Sequence, residues 1–196
     1  MIKQIKISLV VILLFTILTG VCYPLAVTGI AQLLFPRQAN GSMLHSRGVL
    51  VGSALIGQQF TSPKYFWSRI SATVPYAYNA GASGGSNFGP LNPALMDEAG
   101  KRIHDLRQAD SGNGARVPAD LATSSASGLD PHISIASALF QVRRVARARG
   151  ISEDSLRQIV ALFTEGRQFG ILGEPTVNVL KLNLSLDRVF IDEEGR

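Results

Sequence analysis

The chain has 196 residues, 46% of them hydrophobic, with 19 basic against 14 acidic side chains, a net charge of +5 and a pI near 9.7. A single Cys, at position 22, leaves no disulfide to form. The charge is uneven: residues 1–96 hold Lys3, Lys6, Arg37, Arg47, Lys64 and Arg69 and no acidic side chain, and these six are too dispersed for a nucleic-acid surface. A membrane surface or an acidic partner subunit fits them better.

Residues 7–35 are 29 consecutive positions without a charge. As a helix they measure roughly 43 Å, longer than the ~30 Å hydrocarbon core of a bilayer, with room for tilt or for a bend at Pro24. A cleaved signal peptide has a shorter apolar region, and Val21 before Cys22 does not suit lipid attachment, so the segment reads as an uncleaved signal anchor. Lys3 and Lys6 ahead of it favour a cytoplasmic N-terminus and a soluble domain outside the cytoplasm. The expected layout is a basic head at 1–6, a span at 7–35, a polar connector at 36–47 and one soluble domain at 48–196. Its size lets it bury a core unaided, and the fold class expected is α+β, one transmembrane helix followed by a single mixed extramembrane domain.

Within the domain, residues 49–60 are poor in charge and read as a strand buried on both sides. Tyr65, Phe66, Trp67 and Ile70 crowd together, a density that anchors a core or an interface. Residues 76–90 form a glycine- and serine-rich loop, after which Asn92 and Pro93 cap and start a helix with Leu95, Ala99, Ile103 and Leu106 inward. A polar loop at 123–132 leads into a helix at about 134–149, its apolar face Ile135, Leu139, Val142 and Ala146, its C-terminal half crowded by Arg143, Arg144, Arg147 and Arg149. Gly150 ends that helix and Ser152 starts another, with Leu156, Ile159, Val160 and Phe163 inward. Residues 176–182 are β-branched and read as a strand.

Chemistry-bearing patterns are sparse. His45, His104 and His132 lie far apart with no metal-ligand spacing. Asp130-Pro131-His132 beside serines has no nucleophile elbow, so hydrolysis finds little support, and Asp130 reads as a turn carboxylate or helix cap. The loop Gly81-Ala82-Ser83-Gly84-Gly85-Ser86 offers an anion nest but lacks the Lys of a P-loop, and close packing accounts for it as well. The arginines of 143–149 either bind phosphates or form a solvated helix end.

Taken in order, many stretches resemble the C subunit of the bacterial Kdp potassium-transporting P-type ATPase. They include Gly52-Ser53-Ala54-Leu55-Ile56-Gly57-Gln58, Tyr65-Phe66-Trp67-Ser68-Arg69, Tyr78-Asn79-Ala80, Ser83-Gly84-Gly85-Ser86-Asn87, Ser127-Gly128-Leu129-Asp130-Pro131-His132-Ile133-Ser134 and Gly173-Glu174-Pro175. Ile70 and Ile135 stand where that family usually carries Pro. The resemblance implies a non-catalytic accessory subunit of a high-affinity potassium uptake complex in the bacterial inner membrane. Its partners would be an A subunit that passes K⁺, an ATP-hydrolysing B subunit, a small F subunit and membrane lipid. The chain would act as a catalytic chaperone raising the B subunit's affinity for ATP, with no firmly bound cofactor of its own. A nucleotide contact is implied for the loop holding Ser127, Gly128, Asp130 and His132, and Ser124 just before it is a further candidate. A partner-docking surface is expected at Tyr65, Phe66, Trp67, Asn79, Ser83, Gly84, Gly85, Ser86 and Asn87. The rival reading is a membrane-anchored periplasmic hydrolase.

Overall fold

The structure, a computed structural model, describes residues 1–194, and the chain divides into two compact units at Leu44/His45. The first unit is dominated by a 33-residue helix, Ile2–Leu34, long and apolar enough to cross a membrane. It comprises α1 (Ile2–Ile17), a π-helical turn (Leu18–Cys22) and α2 (Tyr23–Leu34). The π turn has a local cause. Pro24 has no N–H to donate and its ring crowds the preceding turn, and the backbone widens just before it, with Tyr23 N donating to Leu18 O. Helix starts earlier than the apolar run, because Ile2 to Lys6 extend it by more than a turn beyond the first uncharged residue. A short α3 (Pro36–Ala39) follows, steadied by mutual hydrogen bonds between the Gln32 and Asn40 amides at 3.2 and 3.4 Å.

At the junction, β1 (Met43–Ser46) pairs with β2 (Val49–Ser53) across Arg47-Gly48, whose φ angles of 50° and 79° make the turn a tight hairpin. This corrects the doubly buried strand expected over 49–60. Val49 and Leu50 are exposed, and the strand stops at Ser53, where a turn through Ala54 and Leu55 begins, with Ile56 N donating to Ser53 O.

The second unit is α+β. Its helices are α4 (Pro93–Ala109), α5 (Ala119–Ala122), α6 (Ile135–Arg149), α7 (Glu153–Leu162) and α8 (Val179–Glu194). Its sheet is small and antiparallel, with strand order β3 (His132–Ser134), β5 (Thr176–Asn178), β4 (Thr164–Glu165) and Ile133 opposite Val177. The sequence signals for helix ends hold. Asn92 accepts from Ala94 N, Ser134 from Ser137 N and Ser152 from Ser155 N, while Gly150 closes α6 in the left-handed region at φ 69°.

One core fills this unit. Val142, Val145 and Ala146 of α6, Leu156 and Val160 of α7, Leu182 and Leu186 of α8, Leu106 of α4, Ile133 and Val177 are all buried around Phe66 and Trp67. Two expectations change. The strand expected at 176–182 ends at Asn178, whose carboxamide accepts from Lys181 N, and α8 begins there. On α6 the inward face is rotated: Leu139 is exposed, whereas Ala138, Gln141, Arg144 and Val145 are buried.

Candidate functional site

Phe66 and Trp67 run through the core as extended backbone, and two side-chain amides take the place of neighbouring strands. Asn183 accepts from Phe66 N at 2.9 Å and donates to Phe66 O at 3.0 Å; Gln141 does the same for Trp67 at 2.7 and 3.1 Å. Buried backbone polar groups left unpaired would cost about 1–3 kcal/mol each. Arg144 donates to Pro63 O, Tyr65 O and Gln141 Oε1 and stacks 4.3 Å from the Trp67 ring. Burial pushes its pKa down to about 10. The arginine cluster of α6 is therefore not a uniform solvated end: Arg144 is structural, and Arg149 is held by Lys64 O and Asp187. Tyr65 is half-buried, its hydroxyl donating to Asp187 at 2.9 Å.

From Ser68 the chain leaves the core and a web of hydroxyls begins. Arg69 Nη1 donates to Asp130 Oδ2 at 3.2 Å and Nη2 to Ser124 O at 3.1 Å. Ser71 Oγ donates to Gly128 O at 2.7 Å and accepts from Tyr78 N at 2.9 Å. Thr73 Oγ1 donates to Tyr76 O and accepts from Asn79 N, and the Tyr78 hydroxyl donates to Arg69 O at 2.6 Å. Burial raises the Tyr78 pKa, keeping it a neutral donor.

The glycine-rich loop then lies against 124–130, so two segments forty residues apart in sequence form one strip. Gly84 N and Ser83 Oγ both donate to Ser127 O at 2.9 and 3.0 Å, and the Ser86 and Ser124 hydroxyls meet at 2.9 Å. A Cβ on Gly85 would lie 2.7 Å from Ala126 O. Gly128, at φ 68°, would bring a Cβ within 2.6 Å of Gly84 O and 2.5 Å of Thr73 Cγ2. Close approach of backbone to backbone is what these glycines provide. Asn79 folds onto its own loop, accepting from Gly81 N and donating to Val74 O, and Asn87 is exposed at φ 50°.

Asp130 ends the strip. Burial works to raise its pKa, but the hydrogen bonds from His132 and the Arg69 guanidinium outweigh that and hold the carboxyl below its ordinary value. The His132 ring lies 3.4 Å from Asp130 Oδ1, 3.7 Å from Glu165 Oε2 and 3.5 Å from Asn178 Nδ2. Ser127 Oγ accepts from Leu129 N. Ser124, Ser127, Gly128, Asp130 and His132 are thus brought together, each already bonded within the domain. Ser83, Gly84, Gly85 and Ser86 join them, whereas Phe66 and Trp67 are buried in the core.

Beside the strip lie two clefts of about 640 and 530 Å³ that share Arg102. One is bordered by Phe60, Trp67 and Gln108, the other by Ser71, Ser86 and Phe88. Arg102 itself is spent on Leu121 O and Ser68 O. Sequence reasoning gave no role to Arg69, Ser71, Thr73, Tyr78 or to Asp120, which accepts from Ser134 and Ser137 at the start of α6. Their signal was faint: hydroxyls and an Arg flanking a loop with no periodicity to report.

The sequence profile of the family "KdpC: K+-transporting ATPase, c chain" matches residues 5–188. A potassium-transporting ATPase KdpC subunit of Methylococcus capsulatus is 59% identical over 187 residues, 95% of this chain and 98% of that one. The corresponding subunit of Polaromonas naphthalenivorans is 62% identical over 92% of each chain, and that of Herpetosiphon aurantiacus 55% identical over 93% and 94%.

Proposed function

This chain belongs to the KdpC family, the c chain of the K⁺-transporting ATPase, and on that premise we propose that it is a non-catalytic chaperone of the potassium uptake complex. It raises the ATP affinity of the ATP-hydrolysing B subunit and does so through its contacts with other subunits, the pore-forming A subunit and small F subunit among them. ATP is held with the B subunit, K⁺ is handled by the A subunit, and this chain keeps no cofactor firmly. Its N-terminal helix is anchored in the bacterial inner membrane with the N-terminus in the cytoplasm and the domain outside.

The observation that supports an indirect role is the state of the loop from Ser124 to His132. Its Ser124 and Ser127 hydroxyls, the Asp130 carboxylate and the Gly128 carbonyl already serve Ser86, Leu129, His132, Arg69 and Ser71. A nucleotide would have to displace these bonds and face the Asp130 carboxylate, which repels phosphate. The strip therefore acts as a shaped docking surface, with Asn79, Ser83 and Asn87 on its outer side and Tyr65 at the edge of the core.

The test compares the ATP affinity of the assembled complex carrying the wild-type chain with that of one carrying Ser127→Ala and His132→Ala together. An indirect role predicts that the loss of ATP affinity tracks loss of assembly. A fully assembled double variant with weakened ATP binding would favour a direct nucleotide contact.

A further inference from the structure

Between β4 and β5 the chain projects a short finger whose apolar side chains are largely exposed to solvent. Phe169 is 84% exposed, Ile171 74% and Leu172 54%. The finger is not slack. Gln168 N donates to Leu172 O and Leu172 N to Gln168 O, both at 2.9 Å, and Arg167 grips both carboxylate oxygens of Glu174 at 2.8 and 2.7 Å across its base. Gly170 and Gly173, at φ 78° and 77°, make the turns. Phe169 stands at φ 55°, in the left-handed region that a bulky side chain disfavours. A domain selected for its own stability would place Asn or Gly there. A strained aromatic left this exposed needs a reason outside the domain.

We propose that this finger inserts Phe169 and Ile171 into an apolar pocket on another subunit of the ATPase. Family membership supplies such subunits, and the inference rests on that membership alone. Charge argues against a lipid surface. The flanking charges cancel pairwise, Arg167 with Glu174 and Lys181 with Glu165, leaving no basic excess to seek anionic headgroups. Area argues against a second copy. Three side chains cover far less than the roughly 800 Å² per partner that a stable dimer buries. A small, preordered aromatic anchor in a pocket is how a few residues dominate an interface between larger surfaces.

The test uses the full chain co-expressed with the remaining ATPase subunits. Phe169→Asn with Ile171→Asn removes the apolar anchor, and Asn accepts the left-handed region more readily than Phe, so the thermal midpoint of the variant alone is expected unchanged or higher. Its retention in the complex on dilution is expected to fall roughly tenfold or more. In a Cys22→Ala background, Phe169→Cys is expected to react with a thiol reagent in the free chain and to be protected in the complex. Wild-type retention of the Asn variant, or equal reactivity of the introduced Cys in both states, would overturn the proposal. So would protection in liposomes without the other subunits, which assigns the finger to lipid, or protection that grows with the concentration of the chain alone, which assigns it to self-association. Should the Asn variant prove unstable, the labelling comparison still decides. Neither readout involves ATP, so the chaperone reading fails or stands separately.

Discussion

Gln141 holds the backbone of Trp67 as an adjacent strand would, accepting from its N–H at 2.7 Å and donating to its carbonyl at 3.1 Å. Gln141 is 1% exposed, so no water can take over either bond. Replacing it with Leu, similar in volume but without the amide, strands two buried backbone groups and also removes an acceptor from Arg144. The expected cost is about 2–4 kcal/mol. Asn183→Leu is expected to cost a similar amount through Phe66. Urea unfolding of both variants, with the slope of the transition unchanged, would confirm this; a loss below about 0.5 kcal/mol would mean the amides are not the segment's partners.

The glycines of the strip differ in how much room a side chain would have. Gly84 has open space where a Cβ would sit, while Gly85 and Gly128 face backbone oxygens at 2.7 and 2.6 Å. Gly84→Ala is expected to leave the melting temperature nearly unchanged. Gly128→Ala combines a left-handed backbone with two close contacts and is expected to cost about 2–3 kcal/mol. Equal tolerance at positions 84 and 128 would show that the strip is looser than its geometry implies.

Acid should loosen the strip at Asp130. Its folded pKa is depressed, so the carboxylate contributes stability that is complete above its ordinary value of about 3.9 and is lost as pH falls through the lower folded value. The Asp130→Asn variant is expected to show a flatter fall in stability across that acid range. Parallel acid titrations of wild type and variant would contradict the His132 and Arg69 contacts of Asp130 as its source.

Orientation has its own check. Ser111 is exposed in the second unit, and in a Cys22→Ala background a Ser111→Cys chain should react with an impermeant thiol reagent in intact cells. Protection until lysis would place the domain in the cytoplasm.

Local signals were legible in the sequence and long-range ones were not. Asn92, Ser134, Gly150 and Ser152 marked helix ends because capping depends on one or two neighbours. The strand expected over 176–182 is present but stops at Asn178, which bonds the N–H three residues on, the mark of a helix start that the β-branched composition masks. Charge alone could not separate Arg144 from Arg143, since only the rotation of α6 decides which one meets Trp67. Both loops of the strip could be nominated from the sequence, but their union could not. It depends on Arg69 and Ser71, whose side chains bond Asp130, Ser124 O and Gly128 O far along the chain, while Thr73 and Tyr78 brace the nearer loop.

The most direct test of the chaperone reading is equilibrium binding of ATP to the purified full-length chain, set beside ATP binding to the complex with and without it. An indirect mechanism predicts no saturable binding to the chain alone at millimolar ATP, and weaker ATP binding by the complex that lacks it. Saturable binding to the chain alone at that concentration, abolished by Ser127→Ala with His132→Ala, would contradict the account and make the Ser124 to His132 loop a nucleotide site in its own right.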